Sequence, residues 1–378
     1  MALKKDYSFL SKRNLIRNLS NIPGWRTNRK IVVIESDDWG AIRMASKEIL
    51  DKLIKAGVPI SDCRYNNNDS LASEDDLSSL FEVLQSVKDQ KGNSAVFTAV
   101  SVVANPDFNK IEQSGYKQYF YEPFTETLKK YPYHAKSYDL WKEGIKNRLF
   151  IPQFHGREHL NVAGWLKALR NKNHDTLLAF KHRIYGITPR DFQSNISFQA
   201  AFDMEDISEI TYHKEVIKQG LELFEKLFGY KARYFIPTNG PFNNQLEAVA
   251  AECGIKYIGT SKIQLEPIGE GRTRKVIHRI GQKNSYGQTY ITRNCFFEPT
   301  DESKNWIDNC LKEIEIAFRW GKPAVVSSHR VNYIGYINPA NRTKGLKQLK
   351  TLLDEIVKRW ANVEFLTTDQ LGDLIDIT

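Results

Sequence analysis

The chain has 378 residues, 41% hydrophobic and 12% aromatic, which excludes a disordered polymer and is enough for a sizeable core. Its net charge of +9 is partly spread out and partly gathered at Lys4, Lys5, Lys12, Arg13 and Arg17; no Lys/Arg block with interleaved aromatics marks a nucleic-acid surface. No run approaches the ~18 apolar residues of a spanning helix. Cys63, Cys253, Cys295 and Cys310 stand far apart with no Cys-x-x-Cys pair, which argues against a disulfide framework and a thiolate zinc site. The N-terminus has no continuous apolar leader segment, so the expected location is cytoplasmic.

A basic extension over 1–29 leads into Ile31-Val-Val-Ile34, an apolar run that predicts a strand over 31–36. A helical pattern follows at 44–56. Ser73-Glu-Asp-Asp76 then gives a capping-type start to a helix over 73–90, with Leu77, Leu80 and Leu84 at helical spacing. Further strands are expected at 94–103, 149–154, 232–237, 256–260, 275–281, 288–297, 323–328 and 363–366. Helices are expected at 160–170, 205–228, 243–253, 303–319 and 342–359. Stretches 61–72 and 104–138 read as long loops over one end of the sheet, and 274–297 as a hairpin turning at 282–287. Continuous apolar strands alternating with helices imply parallel βα units, hence an α/β barrel or a doubly wound sheet. No linker or internal repeat divides the chain, so 1–378 reads as a single domain.

Two adjacent carboxylates, Asp37 and Asp38, end the first strand, and Trp39-Gly40 turns the chain behind them. Such a pair at a strand mouth needs a cation to hold it. His155 and His159, four residues apart, would share one face of a helical turn where a strand gives way to a helix. An Asp and two His with open positions is the donor set of a catalytic metal sphere, not of a closed structural one. His329 follows another apolar strand and fits a general acid at the same sheet edge. The other five histidines (His134, His174, His182, His213 and His278) read as surface residues.

Ser36-Asp-Asp-Trp-Gly40, His155-Gly-Arg-Glu-His159, Pro237-Thr-Asn-Gly240 and Ser328-His329 follow one another in the order of the motifs of polysaccharide deacetylases, the family with NodB-like homology, which the chain resembles as a divergent member. That resemblance implies a distorted (β/α) barrel with an insertion within about 50–140. It implies a divalent ion, zinc first and cobalt, nickel or manganese next, held by Asp38, His155 and His159. Asp37 would be the general base and His329 the general acid. The substrate would be an N- or O-acetylated sugar or polysaccharide, with Trp39 available for stacking and the Thr238-Asn239-Gly240 turn for the oxyanion. Ile236 stands where the family has its base-orienting arginine, which leaves Arg157, Arg233 or Arg330 to substitute, and Gly156 replaces a Ser/Thr.

Two other readings use the same residues. His155-x-x-Glu158-His159 also spells an inverzincin-type protease motif with Glu158 as base, although Pro152 stands just upstream of what should be a long helix. A catalytically weak barrel could instead bind carbohydrate through Trp39, Tyr333 and Tyr336. The sequence gives no signal for an oligomeric state.

Overall fold

A computed structural model describes residues 12–189 and 196–378. Lys4 and Lys5 of the basic extension lie outside the described residues. Among the described residues there are thirteen strands: β1 (Lys30–Trp39), β2 (Phe97–Val102), β3 (Ala104–Pro106), β4 (Tyr121–Pro123), β5 (Phe150–Gly156), β6 (Tyr234–Phe235), β7 (Tyr257–Thr260), β8 (Ile263–Pro267), β9 (Thr273–Ile277), β10 (Thr289–Thr292), β11 (Cys295–Phe296), β12 (Ala324–His329) and β13 (Val363–Phe365). Nine of them form one parallel sheet in the order β10-β7-β6-β5-β2-β1-β12-β11, with β13 also paired to β1. Its end strands, β10 and β11, are separated in the chain only by Arg293-Asn294, so the backbone itself crosses the gap between the two edges. The architecture is a distorted, open (β/α) barrel.

The continuous apolar run of β1 is buried on both faces. Ile31 and Val33 join an inner cluster with Val100, Tyr234, Ile291 and Val325, whereas Val32 and Ile34 pack into the outer core beneath the helices. Since a strand alternates its faces, the next inward positions after Ile31 and Val33 are Glu35 and Asp37. The barrel interior therefore changes from apolar to charged toward the C-terminal ends of its strands.

The helix Glu74–Gln85 starts with the capping box anticipated at Ser73 and Asp76. Of the expected hairpin over 274–297 only the turn forms, with Lys283 bridged antiparallel to Thr289; its arms do not pair with each other. β9 pairs antiparallel with β8, and β10 leaves to join the barrel beside β7 in parallel. Buried Thr289 and Tyr290 and the inward Ile291 make β10 a barrel strand, which outweighs its short separation from β9. The stretch 104–138 contains the β3–β4 pair, two helices and the start of a third rather than only loop. The helix Lys12–Ser20 is inverted: Leu15, Ile16 and Leu19 are exposed, while Arg17 and Asn18 bond to Asn309, Glu313 and Trp320 of the neighbouring helix and its end.

Candidate metal centre and active site

Asp37 and Asp38 would normally point to opposite faces of a strand. A bulge resolves this: Ser36 pairs with Ala99 but Trp39 with Ser101, so β1 spends one extra residue there. Asp38 takes a φ of +75°, the left-handed region, and Gly40 one of +84°. A side chain on Gly40 would meet the Val102 carbonyl oxygen at 2.3 Å, so the turn requires glycine. The bulge lets both carboxylates line one cavity of about 810 Å³, shared with His155, His159, Asn239, Arg293 and His329.

The two histidines meet Asp38 by a different route from a helical turn. His155 lies on β5, His159 lies in the segment beyond it, and the following helix begins only at Val162. Gly156 at φ +151° sits in a region unfavourable to side chains, and a Cβ there would press on the Glu158 carbonyl at 3.2 Å. That glycine lets the chain double back so that both imidazoles face Asp38. His159 Nε2 stands 3.1 Å and His155 Nε2 3.6 Å from Asp38 Oδ1. His155 Nδ1 is 2.7 Å from the Ile236 carbonyl and donates to it, which leaves Nε2 as the ring's lone-pair atom. That Nε2 is buried without a hydrogen-bond partner among the described residues. A donor atom from each of the three residues falls within 4.8 Å of the others, a carboxylate and two imidazoles suited to a divalent ion.

Asp37 is held by a residue that sequence reasoning missed. Arg293 grips it bidentately, Nη1 to Oδ2 at 2.6 Å and Nη2 to Oδ1 at 2.5 Å, while Nε donates to Glu35 at 2.5 Å. Glu35 also accepts from the hydroxyls of Tyr234 and Thr368. Burial raises the Asp37 carboxyl, and the Arg293 guanidinium more than reverses this, leaving it lowered. Asp37 lies in register with His329 of β12, whose Nε2 is 3.9 Å from Asp37 Oδ2. On the other side of that ring, Nδ1 contacts Glu298 at 2.6 Å. Burial would lower the His329 pKa, but Glu298 raises it more, to about 9, so the imidazolium persists at neutral pH.

The three substitutes considered for the orienting arginine are engaged elsewhere. Arg157 is paired with Glu158 and bonded to Gln219 and Tyr212, and it does not line the cavity. Arg233 pairs with Asp373, and Arg330 with Asp69. Glu158 faces Arg157 and likewise stays out of the cavity, and no helix carries the His155–His159 segment. Trp39 is buried, donates its indole N–H to Ser36 and packs edge-on against Trp141 and Phe150, so it offers no stacking face. Tyr333 is buried and bonded to Ser328. Asn239 lines the cavity at φ +59°, although the Gly240 N–H is taken by the Pro237 carbonyl. Of the five histidines read as surface, His134, His213 and His278 are buried; His134 is fixed between the Pro132 and Leu71 carbonyls.

No protein family matches the chain, and no curated protein does either. Solved structures with a similar arrangement include a candidate polysaccharide deacetylase from Mycobacterium smegmatis, at 10% identity over 94% of this chain and 93% of that one, TM-score 0.44. Another is the PuuE allantoinase, at 10% identity over 93% and 92%, TM-score 0.45. A third is BA3943 of Bacillus anthracis, a CE4 family pseudoenzyme, at 10% identity over 90% and 66%, TM-score 0.35. Likeness at this level assigns no activity, and the functional reading rests on the residues of this chain.

Proposed function

We propose that the chain is a metal-dependent hydrolase that removes an acetyl group from an N- or O-acetylated sugar. The observation that carries this reading is the meeting of three groups in one cavity: the Asp38–His155–His159 donors, the Asp37–Arg293 pair, and His329, which Glu298 backs from behind. Asp38, His155 and His159 would hold the ion, zinc by preference for this N/O donor set, with cobalt, nickel or manganese as substitutes. A divalent ion bound there supplies Lewis-acid polarisation of the acetyl carbonyl and makes a nearby water more acidic.

The remaining steps belong to side chains. Asp37 is kept ionised and oriented by the Arg293 fork and accepts a proton from the water that attacks the acetyl carbon. The Asn239 turn lies beside the cavity to receive the developing oxyanion. His329, held as an imidazolium by Glu298, gives its proton to the departing amine nitrogen or alcohol oxygen. The C–N or C–O bond breaks, and acetate leaves. The cysteines pair with none of one another, which suits a reducing compartment, and we place the reaction in the cytoplasm. Recovery of the protein outside its source cells would overturn that placement.

The test is metal stoichiometry in dialysed protein. Wild type should carry about one zinc per chain and His155→Ala almost none, whereas Glu158→Gln should keep it. Wild type without metal at micromolar zinc would remove the basis of the reading.

A further inference from the structure

The wall of the cavity beyond the Asp38–His155–His159 group is cationic in a specific way. Arg43 and Lys262 both line it, and neither forms an ion pair with a carboxylate among the described residues. Arg43 is held by neutral partners: its Nε donates to Asn66 Oδ1 at 2.8 Å, and its guanidinium lies over the Tyr65 ring, 5.7 Å from the centroid. The Tyr65 ring in turn stands edge-on to His329 at 5.6 Å, which ties Arg43 to the rim of the proposed active site. Asp69, whose carboxyl feels the charge of Arg43, is closed by a bidentate pair with Arg330 at 2.9 Å on both oxygens.

Lys262 repeats the pattern. Its ammonium donates to the Ser20 carbonyl at 2.9 Å and to the Ser20 hydroxyl at 3.2 Å. Glu313, the carboxylate that acts on it through space, has one oxygen taken by Arg17 and the other by the Phe296 N–H at 2.9 Å. Of the other cations on the wall, Arg293 is paired with Asp37 and Glu35, Arg17 with Glu313, and Lys304 lies over the Trp306 ring, 3.6 Å from its centroid. Two half-buried cations without counter-charge in a cleft focus a positive potential into it. A neutral sugar would leave both charges uncompensated, whereas an anionic one would supply the missing counter-charge.

We infer that the substrate is an acetylated sugar bearing a negative charge, a carboxylate or a phosphate, recognised by Arg43 and Lys262. This rests on the deacetylase reading for the sugar and on the two unpaired cations for the anion. Arg43 and Lys262 are specificity determinants; the proton steps remain with Asp37 and His329.

The probes are N-methanesulfonyl-glucosamine, its uronic acid and its 6-phosphate, none of which carries a hydrolysable acyl group. Their binding to the zinc-loaded protein is measured by calorimetry at low and high salt. At least one anionic probe should bind about tenfold more tightly than the neutral one, as expected for a hydrogen-bonded charge pair. That preference should shrink with salt, and either Arg43→Met or Lys262→Met should reduce it severalfold while leaving neutral binding unchanged. Whichever of the uronic acid and the phosphate binds more tightly identifies the charged group. Equal binding of all three probes by wild type overturns the inference, and so does a preference that survives both substitutions in folded protein. If both variants fail to fold, the wild-type comparison and its salt dependence decide alone. Anion preference without acetate release from acetylated counterparts would sink the deacetylase reading and leave only the recognition of an anion by Arg43 and Lys262; acetate release from neutral sugars without anion preference would overturn that recognition and leave the deacetylase reading.

Discussion

Arg293→Met removes the guanidinium that grips Asp37 at both oxygens and strands Glu35 beside it. Their side chains are 11%, 6% and 0% exposed for Arg293, Asp37 and Glu35, so water replaces little of the lost interaction. Breaking a buried pair by deleting one partner costs about 3–5 kcal/mol, because the surviving charge stays desolvated. The hydroxyls of Tyr234 and Thr368 still serve Glu35, so the lower part of that range, about 3 kcal/mol, is expected at pH 7. The pH dependence separates this from simple loss of packing. The Asp37 pKa is depressed in the folded protein, so its contribution is present above the unfolded carboxyl value of about 3.9 and is lost as pH falls through the folded value. The difference between wild type and variant should therefore narrow below about pH 4. Urea unfolding at pH 7 and pH 3.5 measures both quantities. A difference under about 1 kcal/mol at pH 7, or one independent of pH, would refute the assignment of Arg293 as the clamp on Asp37.

Further outcomes follow from other contacts. Asp37→Asn should keep its zinc and lose about 10²–10⁴ in acetate release, the range for a general base, as read in a coupled acetate assay. Rates that depend on the His329 imidazolium should fall as pH rises through about 9, and Glu298→Gln should move that alkaline limb downward in a pH–rate profile. Gly156→Ala forces a side chain into φ +151° and should lower zinc affinity measured by chelator competition, since the turn that joins His155 to His159 must shift. Trp39→Ala should cost about 3–5 kcal/mol in thermal or chemical unfolding, a core effect, without changing which sugar is preferred.

The barrel class was legible because β1 and β12 are uninterrupted apolar runs, the signature of parallel strands buried on both faces. Asp37, Asp38, His155, His159 and His329 stood out for one reason: each is a polar group at or just past the C-terminal end of such a strand, and the structure brings all five to one cavity. Arg293 obeys the same rule, directly after Thr289-Tyr-Ile-Thr292, and was missed because 274–297 read as a hairpin. A hairpin turn would have put Arg293 on an outer edge, whereas the parallel pairing of β10 with β7 places it at the seam of the barrel. Trp39 was misjudged because a bulge cannot be read from alternation: the extra residue in β1 sends both aspartates to the cavity and the indole to the core. The spacing of His155 and His159 suggested a helix, but Gly156 achieves the same convergence from a strand end.

Acetate release by protein carrying one zinc per chain, assayed against a panel of N- and O-acetylated sugars that includes uronic acids and sugar phosphates, is the most direct test of the proposed activity. Turnover that is abolished by a chelator, restored by zinc and absent in Asp37→Asn is the predicted result. Fully zinc-loaded wild type that releases no acetate from any member of the panel would contradict it.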